Sequence, residues 1–353
     1  MLYTIIFCFC IFYTFRLVKG FCSLYNKNVT YPGYPVSFYT GILKVSEVIP
    51  MRLGISSYCL VDNMEKGKMT IYDVMDWAKA HDCEHMELVP FCLNFELEDG
   101  SINVELVEGI RNHAEKIGLP LSIFSLNADV LKETEEERQA EIARIKKFID
   151  IAHMLGLKKM RHDSASFRRP FEQSTPHDYE EVFPLLVKAG RECADYAAQY
   201  GMSTSLENHG FFVNGADRVI RLIEGIGRSN VKMTMDVGNF RCVDDISEIA
   251  VQKCLPYADT IHLKDFYIRD KERMPATGPR FGCGGGNWFE TVGGSVIRGS
   301  ILGQGDLDIW KILKTIKDYG YDSDISLEFE GMEECCFATE TGLHTARVIW
   351  ENV

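Results

Sequence analysis

Four stretches of this chain end in side chains that bind cations or move protons: SLENHG (205–210), VKMTMDVGNF (231–240), DTIHLKDF (259–266) and DISLEFEG (324–331). Each starts as a β-prone run and delivers an acid or an imidazole near its end. Polar groups of that kind are costly to bury without partners, so these ends belong at a wet, functional rim. Glu207, Asp236, His262 and a glutamate of LEFE together offer three oxygen ligands and one nitrogen. That set suits one divalent cation, Mn²⁺ first, with Zn²⁺, Co²⁺ or Mg²⁺ as alternatives. Three carboxylates gathered without a cation would repel one another or raise each other's pKa, so the grouping itself calls for a metal. Glu328 and Glu330 share a face at period two, and spacing leaves the choice between them open. Taken singly, a strand-end Glu is usually an ion-pair partner and a His a satisfied structural group; four such ends on successive strands reverse that reading.

The elements that must position them are eight β-prone runs, at 52–56, 84–89, 120–126, 158–162, 203–207, 232–236, 260–264 and 325–329. Between them lie helical patterns, clearest at 134–156 and 178–201, with apolar residues every three to four positions and a terminal Gly. Repeated βα units on this scale predict an α/β fold, a (β/α)8 TIM barrel over residues 51–353. A doubly wound open sheet is the runner-up, but no GxGxxG follows the first strand. In a TIM barrel the chemistry gathers at the C-terminal strand ends, where all four polar tails fall. Three of the four candidate ligands follow at nearly even intervals and the last after more than twice that interval, which predicts a long insertion after strand 7. It includes residues 277–306, rich in Gly and not helical, with no GK[ST] to make a phosphate loop. A long loop on the catalytic face is read as a lid that brings Trp288 and Arg298 to substrate.

With 353 residues and 46% hydrophobic content, the chain can bury a barrel-sized core. Its formal charge is −13, and residues 1–50 are basic on balance (Arg16, Lys19, Lys27 and Lys44 against Glu47), so the remainder is more acidic still. Such a surface repels a phosphate backbone, and no nucleic-acid partner is expected. Twelve scattered cysteines without a CxxC pair read as reduced thiols of a cytoplasmic enzyme. Residues 1–50 read as a non-barrel extension. Its opening MLYTIIFCFCIFYTF has about signal-peptide length but lacks a basic n-region and is short for a bilayer span. Met51 opens MRLGISSYCL, which runs straight into strand one. Residues 1–50 are therefore expected to be an upstream-extended start, with a weak signal anchor as the rival, and the barrel is expected to have no membrane partner.

SLENHG, MDVGNF, HLKD and GQGDLD…GYDSDISLEFEG resemble the sugar phosphate isomerase/epimerase family of xylose-isomerase-like TIM barrels, over about residues 51–350. The resemblance implies that Glu207, Asp236, His262 and Glu328 are the metal ligands, with the first Glu of LEFE as the one that binds. It also implies that Glu207 and Glu328 move the substrate proton, one taking it from the carbon beside a carbonyl and the other returning it. A small carbohydrate substrate and a homo-oligomer go with that reading. The alternative is a lyase or dehydratase on the same scaffold, like inosose dehydratase or enzymes that eliminate from 3-keto-glycosides. A non-catalytic sugar-binding barrel is disfavoured, because all four ligands are present.

Several further residues are candidates for substrate contact. Glu87 closes the second strand and His162 the fourth, and both are expected to reach the pocket. His209 could bind a sugar hydroxyl, carry a proton or brace its loop; Lys264 pairs with Asp265 or holds a substrate oxygen. Ketose 3-epimerases and endonuclease IV carry a His where this chain has Asn239, a position that touches sugar in the epimerases. The additional His and Asp ligands of endonuclease IV's three-metal cluster have no counterpart here, which favours a single metal and argues against DNA repair.

Overall fold

The computed structural model describes residues 50–165, 169, 173–273 and 288–353. The expectations placed on residues 1–49, and on the glycines of 274–287, lie outside the described residues. In chain order the strands are β1 (Arg52–Ser56), β2 (Met86–Leu88), β3 (Leu121–Leu126), β4 (Lys159–His162), β5 (Ser203–Glu207), β6 (Val231–Asp236) and β7 (Ala258–Leu263). The insertion adds β8 (Asp265–Asp270), β9 (Phe289–Glu290) and β10 (Ser295–Ser300), and β11 (Asp324–Leu327) completes the set. β1 to β7 and β11 are parallel and close into a barrel, sealed where β1 pairs with both β2 and β11.

Alternation along each strand explains why these runs form a barrel. Ile55, Leu88, Phe124, Met160, Leu206, Met235, Ile261 and Leu327 are buried in one continuous apolar core, and each such side chain contributes roughly 1.5–3 kcal/mol. The alternate positions face the barrel axis and carry hydroxyls and charges: Thr234 donates to Ser205 Oγ at 2.9 Å, and Ser205 to Asp259 Oδ1 at 2.9 Å. The two long helices, Glu135–Met154 and Pro176–Ala198, each start with a capping box, Thr134 with Glu137 and Thr175 with Asp178. Beyond their ends the chain turns at Gly156 (φ 82°) and Gly201 (φ 62°), a left-handed backbone that glycine adopts without strain.

The insertion differs from the expected loop. Its described part pairs as a three-stranded antiparallel sheet in the order β8-β10-β9. Asp265 anchors it, accepting the backbone N–H of Phe266, Gly303, Gly305 and Leu307 at 2.8–3.3 Å. Burial pushes its carboxyl up to about 6 against those four donors. SVIRGS is short and flanked by glycines, and its partner strand comes from the far side of the insertion, so local pattern did not reveal the pairing. Cys59, Cys83, Cys92, Cys193, Cys254, Cys335 and Cys336 carry free thiols. No helix among those residues is long and apolar enough to cross a membrane.

Gly54 on β1 is required by close approach. A Cβ there would lie 2.1 Å from the carbonyl oxygen of His85 and 2.7 Å from its Nδ1. Gly54→Ala is expected to destabilise the barrel by about 1–3 kcal/mol or more through overpacking. Thermal melting checks this, and an unchanged midpoint would contradict it.

Candidate metal centre

Glu207 and Asp236 are the last residues of β5 and β6, His262 is the penultimate residue of β7, and Glu328 follows β11 directly. One ligand atom from each of the four lies within 4.8 Å of all the others, and all four residues are buried. Backbone pairing sets that convergence. Asp236 sits opposite His262 in the β6–β7 ladder, and Glu328 N–H donates to Leu263 O at 3.0 Å. Glu330 falls outside the group, so the choice that spacing left open is made by where the backbone leaves β11.

The two ring nitrogens of His262 have different surroundings. Nε2 lies 2.8 Å from Glu87 Oε2, with both side chains fully buried. Nδ1 has no hydrogen-bond partner and faces Glu328 Oε1 at 3.4 Å and Glu207 Oε1 at 3.6 Å. A metal-ligating histidine has this form, its outer nitrogen tied to a carboxylate and its inner one aimed at the other donors. Burial disfavours the imidazolium, yet Glu328, Glu87 and Glu207 outweigh it and raise the His262 pKa well above its ordinary value. The acids draw positive charge to the spot a cation would fill, and three oxygens with one imidazole nitrogen are a fitting donor set for it.

Each carboxylate has its own support. Asp236 Oδ1 accepts the backbone N–H of Gly238 and Asn239, both at 2.8 Å, which leaves Oδ2 for the cluster. Burial, opposed chiefly by Lys264, pushes its carboxyl up to about 6. Asn208 ties the ends of β5 and β6 together by donating to Asp236 O and accepting from Asp236 N, each at 2.8 Å. Glu207 Oε1 accepts from Asn239 Nδ2 at 3.0 Å, and Oε2 pairs with Arg161. Burial alone would raise Glu207, but Arg161, foremost among the neighbouring charges, holds it well below the usual carboxylate range.

Arg161 is the member that sequence reading missed. It points into the barrel, where it meets Glu207 and also Asp163 Oδ1 at 2.7 Å, and Asp163 Oδ2 in turn meets His209 Nδ1 at 3.2 Å. His162, expected at the pocket, is the next residue along β4 and faces the other way, with Nδ1 3.1 Å from Asp163 O. The signal was present in KKMRH as period-two alternation, but its phase relative to the axis was not. Glu87 also departs from the expected substrate contact, since it is sealed behind His262.

The remaining candidates lie at the rim or inside the cluster. His209 keeps about a third of its side chain exposed (34%). Lys264 does not pair with Asp265; its ammonium lies 2.8 Å from Glu328 Oε2 and 3.0 Å from Asp236 Oδ2. The Arg298 guanidinium lies over the rings of Tyr267 (4.9 Å) and Trp288 (5.5 Å) and reaches Met332 Sδ at 3.4 Å. Trp288 and Arg298 thus brace the inserted sheet against the loop after β11 rather than meeting the four ligands. Beside Glu330 a cleft of about 260 Å³ opens between Tyr58, Asp62, Lys66, Phe329 and Glu333.

The profile of the xylose isomerase-like TIM barrel family matches residues 75–347 of the chain. No curated protein matches it. Among solved structures, a probable 3-DHS dehydratase from Bacillus anthracis is 16% identical, with 84% of this chain and 99% of that one covered and a TM-score of 0.62. A 3-keto-D-glucoside 4-epimerase from E. coli is 16% identical over 85% of this chain and 100% of that one, with a TM-score of 0.61. A xylose isomerase-like TIM barrel protein from Mycobacterium smegmatis in complex with magnesium is 16% identical over 80% and 88%, with a TM-score of 0.57. At these identities the likeness is one of fold.

Proposed function

The chain belongs to the xylose isomerase-like TIM barrel family, and on that premise we propose that it is a divalent-metal-dependent isomerase or epimerase of a sugar or sugar derivative. The observation that carries this reading is the convergence of Glu207, Asp236, His262 and Glu328 at the C-terminal mouth of the barrel. A divalent cation held by these four, Mn²⁺ first, would polarise a substrate carbonyl and make the neighbouring carbon more acidic.

Glu207 and Glu328 stand at the ends of β5 and β11, which are not neighbours in the barrel, so they approach a bound substrate from different sides. One carboxylate takes the proton beside the carbonyl, and the other returns a proton to the opposite face or to the adjacent carbon. Arg161 and Asn239 fix the orientation of Glu207, and Glu87 fixes the ring of His262.

Elimination on the same scaffold is the second reading, and the pair of His209 and Asp163 favours it. With Nδ1 on Asp163, His209 has its second ring nitrogen available at the rim, where it could protonate a departing hydroxyl. One experiment separates the two. Metal-reconstituted protein is incubated in deuterated water with keto-sugars, inososes and 3-keto-glycosides and followed by NMR. The expected result is deuterium at the carbon beside the carbonyl together with an epimer or positional isomer. An unsaturated product lacking water or a glycosyl group establishes the lyase instead, and neither deuterium nor an unsaturated product with any substrate counts against both.

A further inference from the structure

An ammonium group sits inside this cluster of acids. Lys264 follows His262 by two residues at the end of β7, so both side chains project to the same side. Its side chain is 5% exposed, and Nζ lies 2.8 Å from Glu328 Oε2, 3.0 Å from Asp236 Oδ2 and 3.5 Å from Glu330 Oε2. Asn239 Oδ1 accepts from it at 3.4 Å. Two backbone amides occupy Asp236 Oδ1, so Oδ2 is the atom Asp236 can offer a cation, and Oδ2 is the atom Lys264 holds. The stem of the lysine is closely packed: a Cβ at Gly238 would come within 3.0 Å of Lys264 Cβ and Cγ.

We infer that Lys264 is a built-in counter-ion of the metal centre, its ammonium filling the cation's place between Asp236 and Glu328 in the metal-free chain and yielding it on loading. The inference rests on the metal-dependent reading above. Its physical basis is that buried carboxylates without a compensating charge are strongly destabilising, so a barrel that must fold before it is loaded needs an internal cation. The same contact weakens metal binding, because the incoming ion has to displace the ammonium or share oxygens with it. The opposite arrangement would have Lys264 grip the outer lone pairs of the two carboxylates and orient them for the metal. The two differ in sign, since removing an orienting lysine weakens metal binding, whereas removing a competing one strengthens it.

The test uses the full chain as wild type, Lys264→Met and Lys264→Gln, each stripped with a chelator. Mn²⁺ is titrated in and the free ion followed by electron paramagnetic resonance, and melting is recorded with and without Mn²⁺. Metal-free Lys264→Met is expected to melt roughly 5–10 °C below wild type. Its Mn²⁺ dissociation constant is expected to fall about tenfold or more, with Lys264→Gln moving in the same direction. A Met variant that folds only with Mn²⁺ present carries the same meaning. General damage to the site lowers affinity and so cannot mimic the expected tightening, and binding no tighter than wild type in both variants overturns the inference. A wild type that binds no Mn²⁺ overturns the metal-dependent reading itself, a failure distinct from wild type binding while the variants bind no tighter.

Discussion

Glu207→Gln and Glu328→Gln are each expected to lose about 10²–10⁴-fold in turnover, the usual contribution of general acid–base catalysis, or more. Glutamine preserves the shape of the side chain and keeps an oxygen for a metal, but it lacks the basic lone pair, so some metal and substrate binding should survive. The losses should be far from additive, because the two proton transfers are sequential parts of one process. Solvent deuterium tells the two residues apart. A variant lacking only the reprotonating acid still exchanges the substrate proton without forming product, while a variant lacking the base does neither. Near-wild-type turnover in both variants would exclude a mechanism built on the two glutamates and move His209 to first candidate.

His262→Ala is expected to abolish stoichiometric metal. The wild type should carry one divalent ion per chain, and removing Nδ1 deletes the nitrogen ligand and leaves Glu87 buried without its partner. Glu87→Gln tests the layer behind. It keeps a hydrogen-bond acceptor for Nε2 but removes the charge, and loss of such a supporting partner typically weakens metal affinity by about 10–100-fold. Elemental analysis after gel filtration measures the first variant, and competition with a chromophoric chelator the second. Unchanged metal content in His262→Ala would sink the assignment. Equal affinity in Glu87→Gln would confine Glu87 to packing.

Much of this architecture was legible in the sequence because it is written locally. A strand of a parallel barrel is one apolar run between turns, and a helix is a three-to-four repeat closed by a cap, so each unit announces itself without reference to the others. Glu207, Asp236 and His262 were legible for the same reason: each is the polar end of its own run, and the fold class says that such ends meet, while for the fourth member the run offered two glutamates and the family resemblance pointed to Glu328. Tertiary structure alone decided the rest. Glu328 and Glu330 have the same parity, and only the point where β11 ends separates them. Arg161 and His162 are adjacent, and which one faces the axis depends on the phase of β4, set by its register with β3 and β5. Glu87 and His262 are 175 residues apart and meet across the barrel. Lys264 finds Asp236 and Glu328 rather than Asp265, because the insertion draws Asp265 into a set of backbone amides. In each case the deciding contact joins segments distant in sequence, and local periodicity carries no record of which side chain will stand opposite another once the barrel closes.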